Sequence, residues 1–144
     1  MSGLHPLQVK EIQRLTDDAV AISFSIPKEL VQAFSFRAGQ YLTLSHSIDG
    51  EQVRRSYSLC SAPHEGGLRV GIKAIPNGLF SNYANTQIKV GDTFEVGAPE
   101  GRFVYEPNGN NNLLLLAAGS GITPILSIAK TALKQTDGKV VLVY

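Results

Sequence analysis

Over roughly the first hundred residues apolar and polar positions alternate with a period of two, the spacing of strands that share one core. Residues 7–16 and 19–26 read as a hairpin turning at Asp17-Asp18, and the second arm sets Val20, Ile22, Phe24 and Ile26 on one face. After Pro27, residues 28–34 fit either a short helix or an irregular crossing. Residues 39–48 form the next strand, Asp49-Gly50 is a two-residue hairpin turn, and residues 51–59 return. A fifth strand spans 67–75 and stops at Pro76-Asn77-Gly78, where residues 79–86 change to helical spacing. Gly91-Asp92 then turns the chain into a sixth strand, 93–98. Short strands, turn signals and one small helix predict an antiparallel β-barrel of Greek-key type, closed, with the helix capping an end.

The pattern changes after the polar loop 106–112, Glu-Pro-Asn-Gly-Asn-Asn-Asn, the expected domain boundary. Residues 113–118 are apolar without alternation, as in a strand buried on both faces of a parallel sheet. A glycine loop, an amphipathic helix over about 124–135 and an apolar strand over 139–144 complete one βαβ unit. Two parallel strands leave apolar surface and an edge uncovered, so self-association, or a native chain extending past Tyr144, is expected.

With 43% hydrophobic and 17% charged residues, the 144-residue chain can bury a core and is not of disordered composition. A net charge of +1 without Lys or Arg runs argues against nucleic acid as a partner. The first residues lack the charged and apolar regions of a secretion signal, and the run 113–118 is too short to span a bilayer. A single cysteine, Cys60, leaves no disulfide framework, fits a reducing cytoplasm and cannot by itself hold an iron–sulfur cluster. Cys60 reads as a small buried filler rather than a redox group.

The chemistry concentrates in residues 55–63, Arg-Ser-Tyr-Ser-Leu-Cys-Ser-Ala-Pro. The Arg55 fork suits a pyrophosphate, gripped through two charge-assisted bonds. Tyr57 offers a flat face for a planar ring, and Ser58 both donates and accepts, so it can follow a ring nitrogen that changes protonation. That set suits a flavin nucleotide. Strand alternation puts 55 and 57 on one face and 58 on the other, so the strand must end or bend here for all three to meet one ligand. Two candidate phosphate cradles follow, each of which also fits an ordinary helix cap or glycine turn. Asn77 is a candidate N-cap before a helix whose first turn exposes free N–H groups, and Ser81 adds a hydroxyl. Gly119-Ser120-Gly121-Ile122-Thr123-Pro124 joins a buried strand to a helix, departs from the GxGxxG fingerprint at Pro124, and suits a nicotinamide nucleotide.

Taken in order, these motifs make the chain resemble the ferredoxin–NADP reductase superfamily, with its FAD-binding barrel followed by a nicotinamide-binding α/β domain. Arg55-Ser56-Tyr57-Ser58 matches the Arg-x-Tyr-Ser motif, 78–81 the Gly-x-x-Ser motif, and 119–124 the Gly-x-Gly-x-x-Pro turn. Gly39-Gln40-Tyr41 and residues 97–103 are further landmarks. The wording around 55–63 and 72–81 is most similar to reductase components of phenylacetyl-CoA-type oxygenases, and more distantly to the flavin half of flavohaemoglobins. The resemblance implies an FAD-binding barrel over 1–106 and the first βαβ unit of an NAD(P)-binding domain over 113–144. It implies FAD contacts from Tyr41, Arg55, Ser56, Tyr57 and Ser58, with Tyr57 and Ser58 nearest the chemistry. Ile72, Lys73 and Ala74 would line the ring, and Gly78, Leu79, Phe80 and Ser81 would hold phosphates. Gly119, Ser120, Gly121, Ile122, Thr123 and Pro124 would receive NAD(P)H, Thr123 beside the flavin edge. An iron–sulfur protein or oxygenase component would take the electrons.

Singly, each of these residues has an ordinary structural explanation, since exposed arginines and packed tyrosines are common. His46 and His64 read as loop or strand-edge histidines with no metal-ligand spacing, and no Ser, His and acid arrangement indicates a hydrolase. Three functions therefore stand: an NAD(P)H-dependent flavin reductase, a flavin-binding module with little pyridine-nucleotide activity, and a barrel adaptor without a ligand.

Overall fold

The computed structural model describes residues 3–109 and 111–144; residues 1 and 2, and residue 110 in the predicted boundary loop, lie outside them. The first unit is a curled six-stranded antiparallel sheet: β1 (Leu4–Thr16), β2 (Ala19–Ser25), β3 (Tyr41–Ile48), β4 (Glu51–Ser58), β5 (Leu68–Lys73) and β6 (Thr93–Gly97), in the order β4-β3-β6-β1-β2-β5. Helix α1 (Leu79–Thr86) carries the chain from β5 towards β6. β1 begins at Leu4 rather than residue 7, because its first half pairs with β6 and its second with β2. Irregular register between Val9 and Glu11 marks the change of partner.

Closure is partial. The sheet curls until β4 and β5 approach, but among the described residues only an isolated bridge between Leu59, just past β4, and Val70 joins them, reinforced by the Cys60 N–H on the Arg69 carbonyl at 2.9 Å. The closed barrel expected from the strand pattern is thus a sheet held shut at one point.

Inward positions from all six strands, with Phe80 and Ala84 of α1, form one core. The connection after Pro27 is a single turn of 3₁₀ helix, Lys28–Leu30, followed by turns that drop Phe34 into that core. Asp49-Gly50 turns as predicted, with φ values of 51° and 82°.

The second unit is β7 (Leu113–Leu116), α2 (Ile122–Gln135) and β8 (Val140–Val143), the two strands parallel. The sequence predicts burial on both faces of the first strand; the structure buries one. Leu115 is 6% exposed, whereas Leu114 and Leu116 are 63% and 66% exposed, because α2 covers one side of the pair and none of the described residues covers the other. α2 starts at Ile122, two residues before the predicted Pro124. The proline still falls in the first turn, where its missing N–H is not needed. Among the described residues, no helix is long and apolar enough to cross a membrane.

Candidate functional site

A groove of about 930 Å³ runs along the gap between β4 and β5. Both strands end the sheet, so beyond the Leu59–Val70 bridge their facing backbone edges have no ladder partner. Such edges offer N–H and C=O groups to a flat ligand.

Register explains how both rows of β4 reach this groove. Arg55 and Tyr57 pair with Leu44 and Leu42, so they share the inward face, while Ser56 and Ser58 pair with Thr43 and Tyr41 on the outer one. β4 stops at Ser58 with a free edge, so residues 55, 56, 57 and 58 all line the groove that follows that edge. Arg55 is exposed; its Nη1 donates to the Arg54 carbonyl at 2.7 Å, and none of the ion pairs among the described residues uses it. Tyr57 is half-buried, its ring 5.7 Å from that of Phe80. Burial pushes its phenol above the usual value, against the opposing pull of Arg55, so the hydroxyl stays protonated and able to donate.

The opposite wall is the turn before α1. Pro76 presets one φ and Asn77 takes a left-handed 60°, and the Gly78 N–H closes the turn on the Ile75 carbonyl at 3.0 Å. The N-cap is therefore Gly78, not Asn77. A Cβ at Gly78 would lie 2.4 Å from the Ser81 hydroxyl and 2.6 Å from Ile75, which is why the motif needs glycine. Ser81 is buried and accepts the Ile75 N–H at 3.2 Å, so its hydroxyl braces the turn. The donors left for an anion are the backbone N–H groups opening the helix.

The βαβ unit supplies the third side through Gly119, Ser120 and Thr123. A Cβ at Gly71 would meet the Thr123 methyl at 3.2 Å, so glycine in the middle of β5 lets the two units close together. α2 is tied down further along by the buried Ser127 hydroxyl, which donates to the Ser61 carbonyl at 2.7 Å, and by Lys130, 3.3 Å from both the Cys60 carbonyl and Glu65. Glu65 also accepts the Ala62 N–H at 2.6 Å. Burial disfavours its charge, but the Ala62 N–H and Lys130 outweigh that and hold its carboxyl below the usual range. A carboxyl so lowered stabilises the folded state above its unfolded value, about 4.3, and that contribution is lost as pH falls through the folded value. Glu65→Gln is expected to flatten the acid limb of a thermal-unfolding profile below about pH 4. Parallel profiles for the variant and the parent would dismiss the assignment.

Of the predicted residues, the groove gathers Arg55, Ser56, Tyr57, Ser58, Lys73, Gly78, Leu79, Phe80, Ser81, Gly119, Ser120 and Thr123. Six stand outside its lining. Tyr41 lies over Gly101 on the outer face, Ile72 is in the core, and Ala74 donates its N–H to the Asp18 carbonyl at 2.7 Å. Gly121, Ile122 and Pro124 belong to the helix start. Gly71, Glu51 and Ile75 were not singled out; only the lone glycine inside a strand carried a readable signal of close approach. Cys60 is partly buried, and burial raises its thiol, as befits a filler. His46 corrects the reading of a loop or edge histidine: it sits in the inward row of β3, 3.1 Å from the Tyr83 hydroxyl.

Comparison with known proteins bears on this geometry. The family model described as "Oxidoreductase FAD-binding domain" matches residues 6–105. The chain is 44% identical over its full length to one of the subunits of the 1,2-phenylacetyl-CoA epoxidase of Escherichia coli, covering 41% of that protein. It is 43% identical, over 96% of its length, to the ferredoxin reductase component of 3-ketosteroid-9-alpha-monooxygenase of Rhodococcus rhodochrous, covering 40% of it. A ferredoxin NADP+ reductase from Neisseria gonorrhoeae, solved with bound FAD and NADP, superposes with a TM-score of 0.79 at 25% identity, over 99% of this chain and 57% of that one. The chain spans about two-fifths of the length of the curated relatives it matches.

Proposed function

Because the chain belongs to the oxidoreductase FAD-binding domain family, we propose that it holds FAD in the β4–β5 groove and carries electrons from NAD(P)H to an iron–sulfur or oxygenase partner. The observation that carries this reading is the groove itself, where a guanidinium outside the ion pairs of the described residues, a braced aromatic face and an open helix N-terminus converge on two unpaired strand edges. The dimensions and donors suit a dinucleotide: cation and N–H groups for a pyrophosphate at one end, a flat half-buried wall for a ring at the other.

In this reading residues 1–106 are the FAD-binding barrel and residues 113–144 the start of the NAD(P)-binding domain, supported by a family match that stops at residue 105. When bound, FAD supplies hydride acceptance and one-electron release. Arg55 and the N–H groups at the start of α1 hold the negative charge. Tyr57, backed by Phe80, sets the plane of the ring and keeps water from one face. Ser58, at the strand end, exchanges a hydrogen bond with the ring edge as its protonation changes, and Ser56 and Lys73 flank it. Thr123, against Gly71, closes the side where the nicotinamide would dock. A cytoplasmic setting belongs to the same proposal, supported by the single thiol. So does self-association through the outer face of β7 and β8, supported by the exposed Leu114, Leu116 and Val143.

The purified chain is expected to be yellow or to take up added FAD, and NADH or NADPH should bleach it in stopped flow. A colourless chain that ignores added FAD would overturn the cofactor; uptake without bleaching would leave a flavin-binding module. Sedimentation velocity over a concentration series reads the self-association, and a monomer throughout would remove it.

A further inference from the structure

β3 turns Leu42, Leu44, His46 and Ile48 inward in one row, and the three aliphatics are 0%, 1% and 3% exposed. An imidazole in that row carries a desolvation cost that leucine would not, so it needs a polar partner. It has one. The ring stacks on Phe94, with centroids 4.3 Å apart and planes at 25°, and Nε2 lies 3.1 Å from the Tyr83 hydroxyl of α1. Burial, with Asp92 and Asp49 nearby, pushes the Tyr83 phenol up, so the group facing His46 is an intact hydroxyl.

What this contact holds is the wall of the groove. α1 is only eight residues long, and its apolar contacts, Phe80 and Ala84 in the core, are not directional. Core packing of Phe80 limits the rotation of the helix about its own axis, and directional polar bonds, among them the Ile75 N–H on the Ser81 hydroxyl, set what remains. Asn85 supplies one: its amide donates to the Ile72 carbonyl of β5 at 3.1 Å, and Arg14 donates to its side-chain oxygen at 2.9 Å. Tyr83 and Asn85 are two residues apart, roughly 200° around the helix, so the His46 and Asn85 contacts grip α1 from opposite flanks. The first turn of that helix is the part facing the groove.

We infer that His46 is a positioning residue for the groove: by holding Tyr83 it sets the rotation of α1, and with it the direction in which the N–H groups at Leu79, Phe80 and Ser81 meet an anionic ligand. The inference rests on the FAD reading above. It separates phosphate recognition from ring recognition, because Tyr57, the wall for the ring, belongs to β4 and not to α1.

The test is a titration of the chain and of His46→Leu, Tyr83→Phe and the double variant with FAD and with riboflavin, which lacks the phosphates. One lost hydrogen bond should weaken FAD about fivefold in each single variant. The double variant should lose no more than either single, His46→Gln should recover part of the affinity, and riboflavin binding should not change. His46→Leu should keep the parent's melting temperature, since leucine suits the inward row. FAD affinity unchanged in His46→Leu overturns the inference. So does an equal loss for FAD and riboflavin accompanied by a lower melting temperature, which is a structural role only. If the parent chain takes up no FAD, the reading of the groove has failed instead, and amide hydrogen exchange over residues 79–82 of the free chain decides. Faster exchange in His46→Leu supports the positioning role and unchanged protection overturns it.

Discussion

Arg55→Ala is expected to weaken FAD binding by about 1.5–3 kcal/mol, roughly ten- to a hundredfold, the scale of hydrogen bonds to a charged group. The residue is exposed, one arm is already anchored on its neighbour's carbonyl, and none of the ion pairs among the described residues uses it, so the fork is oriented by the backbone rather than by an acid. For the same reason the substitution leaves no buried group without a partner, and folding stability should move by no more than about 0.5 kcal/mol. Arg55→Lys should recover the charge but not the paired geometry, and so fall between the two. Fluorescence titration with FAD, beside urea unfolding, reads both quantities. FAD affinity unchanged in Arg55→Ala would remove the pyrophosphate role, whatever became of the other groove residues.

Gly39→Ala should have the largest effect on stability, about 3 kcal/mol or more, from backbone strain and overpacking together. Gly39 has a φ of +104°, and a Cβ there would lie 1.9 Å from the Phe103 carbonyl oxygen and 3.3 Å from the Val104 Cα, both backbone atoms. Neither can swing aside as a side chain would. The adjoining Tyr105 N–H donates to the Ala38 carbonyl at 3.0 Å, and the Leu59 N–H to the Gln40 carbonyl at 2.9 Å. The glycine therefore sits where the chain leaving the barrel crosses the start of β3 and the end of β4. Gly91→Ala is the control. Its φ is +94° but open space surrounds the added carbon, so only the conformational cost, about 1–2 kcal/mol, applies. Equal losses in the two variants would show that the approach of residue 103 is not what demands glycine.

The positions of the elements were largely legible along the chain, because alternation, turn chemistry and helix spacing are properties of neighbouring residues. The Asp49-Gly50 turn, the helix over 79–86 and the return strand carrying residues 55–58 all follow from a few consecutive side chains. The chemistry of the groove was legible for the same reason, since an arginine, a tyrosine and two serines within four positions advertise themselves. Errors came where local signals were ambiguous between neighbours. Asn77 reads as a cap, yet Pro76 before it favours a turn with a left-handed third residue, which moves the cap to Gly78.

Other features had no local trace. A run of four leucines does not say how many of its faces will be covered, and with a single helix beside it half of them meet solvent. His46 in isolation is an unremarkable polar residue in a strand; only the pairing of β3 with β6 and the fall of α1 across them bring Phe94 and Tyr83 to it. The amino-acid sequence by itself determined which segments are strands, where they turn and which side chains can bind phosphate or an aromatic ring. Tertiary structure alone decided that β4 and β5 meet at one bridge and leave their edges open, and that Gly71 admits Thr123 against β5. The reason is physical: periodicity is written in adjacent residues, but an edge becomes a binding surface only when a strand distant in sequence fails to pair with it.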